Sequence, residues 1–399
     1  MKHQDKIIVS GVGCCLMDRI YGHVDFQSAA FAPYLSKKAG DGGLVPGALE
    51  FEEGFEKFTG RKFADLLPVI TGGRPADKEN IGGPCIVALI NAAQLTHDIS
   101  QVRFYGCHGD DVVGHSLVDA LRKTPVDLTY YREEKGSETA STVVFSDPDY
   151  DEGHGERIFV NTIGASWKYR PDELDASFYD ADIAVFGGTA IVPTIHDALN
   201  TLLPKAKKAG CITVVNTVFD SLSEKRAPRE RWPIGSSDMS YRYIDLLITD
   251  REEALHLSGQ KSILGALDFF HQMKVSAVAV TNGSKDVYLY ADEGLFASVS
   301  PTTIPVSAAV TAELKTGHRG DTTGCGDNFA GGLMASLIHQ MHRGSSPFDL
   351  REACRWGVVS GGFACFYYGG TFFENRPGEK LALIKPYYDQ YCVQEENKE

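Results

Sequence analysis

Five short apolar runs restrict the fold more than any other feature of this chain. They are Ile7 to Gly13, Ala181 to Gly188, Cys211 to Asn216, Ile244 to Thr249 and Ala277 to Gly283. Each is rich in Val, Ile, Leu or Ala and runs into Gly, Asn or Asp, so each reads as a buried strand closed by a turn. A helix from Pro193 to Ala209, ended by Gly210, separates the second run from the third. Strand, helix and strand in succession bring the two strands together in parallel through a right-handed crossover. The class expected is therefore α/β with a mostly parallel sheet.

A second feature bears on chemistry. Gly320 to Gly332 is a Gly- and Thr-rich loop that passes directly into a helix with Phe329, Leu333, Leu337 and Met341 on one face. Arg343-Gly344 supplies its stop. The first turn of a helix carries unpaired N–H groups and the positive end of the dipole. Gly324 and Gly326 allow a ligand to approach that backbone closely. A phosphate suits such a site. Asp327 suits it only as a base, taking a proton from an attacking hydroxyl while the N–H groups hold the developing charge. An isolated Gly-x-Gly-Asp would be an ordinary helix start whose acid favours the dipole.

The longer string Asp-Thr-Thr-Gly-Cys-Gly-Asp-x-Phe-x-x-Gly, from Asp321 to Gly332, is far more specific. It resembles the C-terminal signature of the PfkB/ribokinase family of carbohydrate and nucleoside kinases, with Cys325 where Ala is usual. The resemblance implies a single domain over 1–399 with a three-layer α-β-α ribokinase-like fold and a small β-sheet lid, its elements within about 18–80 and 128–166. It makes Asp327 the catalytic base and Gly324, Cys325 and Gly326 the anion hole. It implies ATP and Mg²⁺, with K⁺ as a further cofactor.

Weaker matches follow in the family's order. Asp18, after the first strand, corresponds to an acid that binds substrate hydroxyls. Gly82-Gly83 before Pro84 resembles the turn that approaches the acceptor, although Val87 replaces a usual Asn. Asn91, one turn on, reads equally as a substitute or as a buried structural residue. Thr139 to Phe145 and Arg157 to Asn161 read as a hairpin around a polar turn at Tyr150 to Gly155. Asp250-Arg-Glu-Glu253 resembles Asn-x-x-Glu, which assigns Asp250 and Glu253 to the nucleotide site and Glu253 to Mg²⁺ through water. An acid-rich helix start explains both residues as well. Thr281 and Gly283 match the nucleotide loop, with Asp286 in place of its last Gly. Asp321 and Thr323 match a monovalent-cation site.

Other features have plainer readings. Asp110 or Asp111 beside His108 and His115 suggests a metal, but a helix cap is the better account. Val126 to Leu128 should enter a strand, and Ala353 to Tyr368 should be a helix ended by Gly369-Gly370. The interval from Phe26 to Asn80 is longer than the family needs. It carries helical pieces near Glu52 to Lys57 and Arg61 to Leu66, with no legible purpose. Residues from Gln394 should fray.

Composition excludes several classes. The 399 residues carry a net charge of −14, which argues against a nucleic-acid surface. No run of about 20 apolar residues offers a membrane span. The nine cysteines show no Cys-x-x-Cys and fit a reducing cytoplasm. The run from Ile7 to Met17 reads as a first strand rather than a signal peptide. No P-loop is present. Ser258-x-x-Lys261 and Lys315-Thr316-Gly317 echo penicillin-recognising enzymes, but Ser258 ends a helix and the Ser-Asp-Asn element is missing. The expected activity is ATP-dependent phosphorylation of a sugar or sugar-like alcohol. The alternatives are an adenosine-type nucleoside kinase and a non-catalytic binding protein on the same fold. Pairing of lids in a homodimer is a further expectation.

Overall fold

The apolar runs lie side by side in one sheet, as strands β1 (Ile7–Gly13), β9 (Ile183–Gly187), β10 (Ile212–Asn216), β11 (Leu246–Asp250) and β12 (Ala277–Asn282). The computed structural model of the protein describes residues 6–38, 40–153, 156–317 and 320–397. The other strands are β2 (Leu16–Tyr21), β3 (Leu49–Phe51), β4 (Lys78–Gly82), β5 (Ser100–Gly109), β6 (Tyr131–Glu134), β7 (Ser141–Asp147), β8 (Glu156–Thr162), β13 (Lys285–Ala291) and β14 (Val299–Ile304). A nine-stranded sheet runs β14-β13-β12-β11-β10-β9-β1-β5-β6, and a five-stranded sheet runs β3-β8-β7-β2-β4. The large sheet is parallel from β6 to β12; only β13 and β14 are antiparallel.

Both faces of the large sheet are buried, which is why its strands lack alternation. On β12, Ala277 and Ala279 join one core with helices Pro84–Thr96, Cys325–His342 and Leu350–Ala364. Val278 and Val280 join the other, with Leu199–Ala209, Arg251–Ser258 and Ile263–Gln272. Parallel strands bring their C-terminal ends to one edge. The strand order reverses its direction of growth at β1, between β9 and β5, and open α/β sheets bind ligands at such a point.

The small sheet contains the expected β7–β8 hairpin, paired antiparallel from Ser141↔Thr162 to Asp147↔Glu156. Of the expected polar turn, 150–153 forms a helical turn and 154–155 lie outside the described residues. The long interval after Phe26 acquires a purpose. Its Phe26, Phe31, Leu44, Phe55, Phe63 and Leu66 pack on Val143, Phe145, Ile158 and Val160 of the hairpin. Ring pairs such as Phe26–Phe31 at 5.1 Å and Phe55–Phe63 at 5.9 Å fill this third core. The insertion covers one face of the small sheet.

Several local expectations are corrected. The helix expected over Pro193–Ala209 breaks at Ala198, whose ψ of −1° is not helical, into Pro193–Asp197 and Leu199–Ala209. The strand expected at Val126 to Leu128 is reduced to a single parallel bridge of Asp127 to Arg103, with Asp127 accepting from the N–H and hydroxyl of Thr129 in the turn that follows, and the full strand begins at Tyr131. The helix expected to reach Tyr368 stops at Ala364. Beyond it, the carbonyls of Cys365 and Tyr367 are taken by the N–H groups of Gly320 and Asp321. The C-terminal helix continues to Glu396 rather than fraying from Gln394, since Gln394 donates to Val306 and Glu395 accepts from Arg355; 398–399 lie outside the described residues.

Candidate active site

Gly324 takes φ +73°, and the helix starts at Cys325 with no side-chain cap. Gly324 has to be Gly on two counts. Its φ is left-handed, and an added Cβ would lie 2.5 Å from Gly370 Cα. Above Gly326 there is open space. The N–H of Cys325 makes a turn bond to Thr322 O at 3.3 Å. Those of Gly326 and Asp327 belong to the first turn, where no intrahelical acceptor exists.

Asp327 projects from that turn into a cleft of about 120 Å³ lined also by Pro84, Asn216, Thr217, Thr249, Asp250, Glu253, Thr281 and Gly326. The cleft sits at the C-terminal ends of β10, β11 and β12, on the ligand-binding edge of the parallel strands and to one side of the reversal at β1. Asp327 is partly open to solvent but ringed by protein atoms. Loss of hydration pushes its pKa up to about 6.

Asp18 comes after the first strand, as expected, and lies within β2 of the small sheet, opposite Asn80. It is 6% exposed. Burial pushes its pKa up to about 7, the hydrogen bond from Thr142 opposes this, and Asp327 and Asp321 add repulsion. The two sheets thus bring Asp18 and Asp327 into one electrostatic field. Gly82 makes this packing feasible, because a Cβ there would lie 2.2 Å from the Asp18 carboxylate. Gly83, at φ +107°, lets the Cys14 carbonyl pass where a Cβ would sit 2.5 Å away.

Asp250 and Glu253 form a reciprocal cap. Asp250 accepts from Glu253 N at 2.8 Å, and Glu253 accepts from Asp250 N at 3.3 Å and from Thr217 Oγ1 at 2.5 Å. Burial, with Asp250 next to it, pushes Glu253 up to about 7. Both therefore have a structural duty besides facing the cleft. Thr281 lines the cleft, and Gly283 makes the tight β12–β13 turn at φ +59°. Asp321 accepts from Thr323 N at 2.8 Å and from Gly369 N at 3.3 Å. Thr323 Oγ1 in turn accepts from an arginine.

That arginine is Arg157, from β8 of the small sheet. It donates to Thr323 Oγ1 at 2.7 Å and to Thr322 Oγ1 at 2.8 Å, clasping the loop that leads into the Cys325–His342 helix. Asn328 is a second residue the sequence reading passed over. Its Nδ2 donates to the carbonyls of Gly324 and Gly370, and its Oδ1 accepts from Lys380 Nζ at 2.8 Å and Tyr367 OH at 3.2 Å. Lys380 is 1% exposed, and burial pushes its pKa down to about 7. Asn328 lies inside the signature and was open to suspicion. Lys380, in a helix with one other lysine, Lys385, gave no signal. Val87 is buried against Gly370, and Asn91 donates to Asn328 O, so neither replaces the missing polar contact. Asp111 caps the helix after it through Gly114 N, and the described residues hold no group of three or more His, Cys, Asp or Glu placed to ligate a metal directly. Among them no helix is long and apolar enough to cross a membrane.

Comparison with known proteins follows from this geometry. The family model described as pfkB family carbohydrate kinase matches residues 75–376. The chain is 24% identical over 343 residues to a probable fructokinase-4 of Arabidopsis thaliana, covering 82% of this chain and 95% of that one. It superposes on the adenosine kinase of Sinorhizobium meliloti with a TM-score of 0.68 at 19% identity, covering 95% and 99% of the two chains. A putative ribokinase II from E. coli, in complex with ATP and Mg²⁺, gives a TM-score of 0.62 at 16% identity, covering 97% and 100%.

Proposed function

Because the chain belongs to the pfkB family of carbohydrate kinases, we propose that Asp327 is the general base by which it transfers the γ-phosphoryl group of ATP to a hydroxyl of a small sugar. The observation that carries this is the position of Asp327. A carboxylate with its pKa raised to about 6 stands on an uncapped helix start, at the floor of the cleft formed by three strand ends. A base poised near the working pH takes the hydroxyl proton efficiently. The first-turn N–H groups of the Gly324–Asp327 segment face the charge that develops on the phosphoryl oxygens. Asp18, above Gly82, holds a sugar hydroxyl, and the small sheet closes over the cleft as a lid.

The cleft offers only hard oxygen donors, from Asp250, Glu253, Thr217, Thr249 and the orphaned Oδ1 of Asn216, which suits a hydrated Mg²⁺. When bound with ATP, Mg²⁺ shares the negative charge of the phosphates. Glu253 and Asp250 would hold its water shell.

The test is ATP consumption with Mg²⁺ over a panel that begins with fructose and includes ribose and adenosine. One sugar should turn over and adenosine should not. Turnover of adenosine alone, or of nothing on the panel, would count against a sugar acceptor. The sugar reading is preferred because the likeness to an adenosine kinase lies in the fold, whereas the family match is to carbohydrate kinases.

Arg157 adds a second expectation. Its fork holds the two threonine hydroxyls beside the anion hole, a geometry lysine does not reproduce. Arg157→Ala and Arg157→Lys should both lower kcat, by roughly 10- to 10²-fold, with unchanged thermal unfolding. Full kcat in either variant would remove Arg157 from the machinery.

A further inference from the structure

Two thiols meet at the phosphate loop. Cys325 is the first residue of the Cys325–His342 helix, and Cys365 closes the Leu350–Ala364 helix. Their Sγ atoms are 3.3 Å apart and share a hydrogen bond. Both are partly exposed, whereas Cys14, Cys15, Cys85, Cys107, Cys211 and Cys354 are buried.

The surroundings hold the pair in register. The two helices pack through glycines: a Cβ on Gly357 would lie 2.9 Å from Phe329, and one on Gly361 would lie 2.9 Å from Cys325 O. The residue after Ala364 is fastened to the same loop, since Cys365 O accepts from Gly320 N at 2.8 Å. A Cβ on Gly320 would lie 2.0 Å from Tyr367 O, so this strap has no slack. The compliant side is the other one. Cys325 is followed by Gly326, which has open space around it, whereas Gly324 before it is packed on Gly370.

We propose that Cys325 and Cys365 form a reversible intramolecular disulfide that withdraws the anion hole from the phosphoryl group. The proposal rests on the kinase reading of this loop. An S–S bond is ~2.05 Å long, so the sulfurs must close by more than 1 Å. Cys325 and Gly326 take up that movement, and a shift of 1 Å near a reacting group costs on the order of 10²-fold in rate.

The chemistry is thiol–disulfide exchange with a small dialkyl disulfide such as oxidised glutathione. The hydrogen bond from the Cys325 thiol holds Cys365 below the usual thiol range, so Cys365 ionises first. Its thiolate attacks the small disulfide, breaking that S–S bond and expelling one small thiolate. Cys325, deprotonated in turn, attacks the Cys365 sulfur of the mixed disulfide and expels the second. The two protons from the protein thiols go to the two small thiolates. One disulfide is reduced and one is formed.

The experiment equilibrates the full chain across ratios of oxidised to reduced glutathione. It maps the bond by mass spectrometry of unreduced peptides and measures kinase activity in parallel with Cys365→Ala. In the wild type, nine thiols should fall by two. The peptides bearing Cys325 and Cys365 should become linked, activity should drop on the order of 10²-fold, and dithiothreitol should restore it. Cys365→Ala should start near wild-type activity and keep it at every ratio. No linkage at the most oxidising ratio would overturn the proposal, as would linkage without loss of activity. An inactive reduced wild type would instead count against the kinase reading, and the peptide map would still decide whether the bond forms.

Discussion

Asp327→Asn is expected to lower kcat by roughly 10²- to 10⁴-fold, the range for loss of a general base, with little change in KM for ATP. Asn keeps the shape and the hydrogen-bonding capacity of the side chain, so the helix start should stay as it is. The pH profile adds an independent reading. In the wild type the base works only when ionised, so kcat should fall as the pH drops below about 6. The residual activity of the variant should lack that limb. Stability should move the opposite way. The pKa of Asp327 is raised in the folded protein from 3.8 to about 6, so between those values the folded state binds more protons than the unfolded. Ionised Asp327 therefore costs stability above pH 6, and the cost disappears as the pH falls below about 4. Asp327→Asn should raise Tm by ~1–3 °C at pH 8 and by less at pH 5. Near-normal turnover in the variant, or an acid limb that persists, would remove Asp327 as the base.

Gly324→Ala is expected to be nearly as damaging, by another route. Ala in a left-handed conformation costs roughly 1–2 kcal/mol, and its Cβ would meet Gly370 backbone at 2.5 Å. Neither neighbour is a flexible side-chain end, so the loop itself must move. Asn328, which holds the carbonyls of both Gly324 and Gly370, would pass the movement to the helix start. Loss of about 10²- to 10³-fold in kcat is the scale for a missing oxyanion-hole donor, together with a Tm several degrees lower. By contrast Gly326→Ala has no neighbour to strike, so its Cβ should hinder the ligand and raise KM for ATP with Tm unchanged. Equal behaviour of the two variants in Tm would contradict this division of roles.

The legible part of this protein was local. Strands buried on both faces must be short and apolar, so β9 to β12 stood out as runs without alternation and their parallel order followed from the helices between them. The glycine-rich loop before the Cys325–His342 helix was legible because a helix start open to an anion needs glycines and unpaired N–H groups in consecutive residues. The cap at Asp111 and the β7–β8 hairpin were readable for the same reason: each is an interaction between residues close in sequence.

Tertiary structure decided what distant segments do to one another. Nothing around Arg157 announces that it reaches threonines 165 and 166 residues away. Lys380 looks like any helical lysine until Asn328 is found beside it, 52 residues away, in a core that takes away its water. The insertion after Phe26 had a composition without a purpose until its aromatic rings were seen on the hairpin. The sequence by itself determined the class of fold and the place of Asp327 on a glycine-rich helix start, because periodicity and backbone freedom are properties of neighbouring residues. The raised pKa values of Asp18 and Asp327, the arginine clasp and the meeting of Cys325 with Cys365 were decided only when two sheets and two helices closed around one loop, because desolvation and charge act through space and not along the chain.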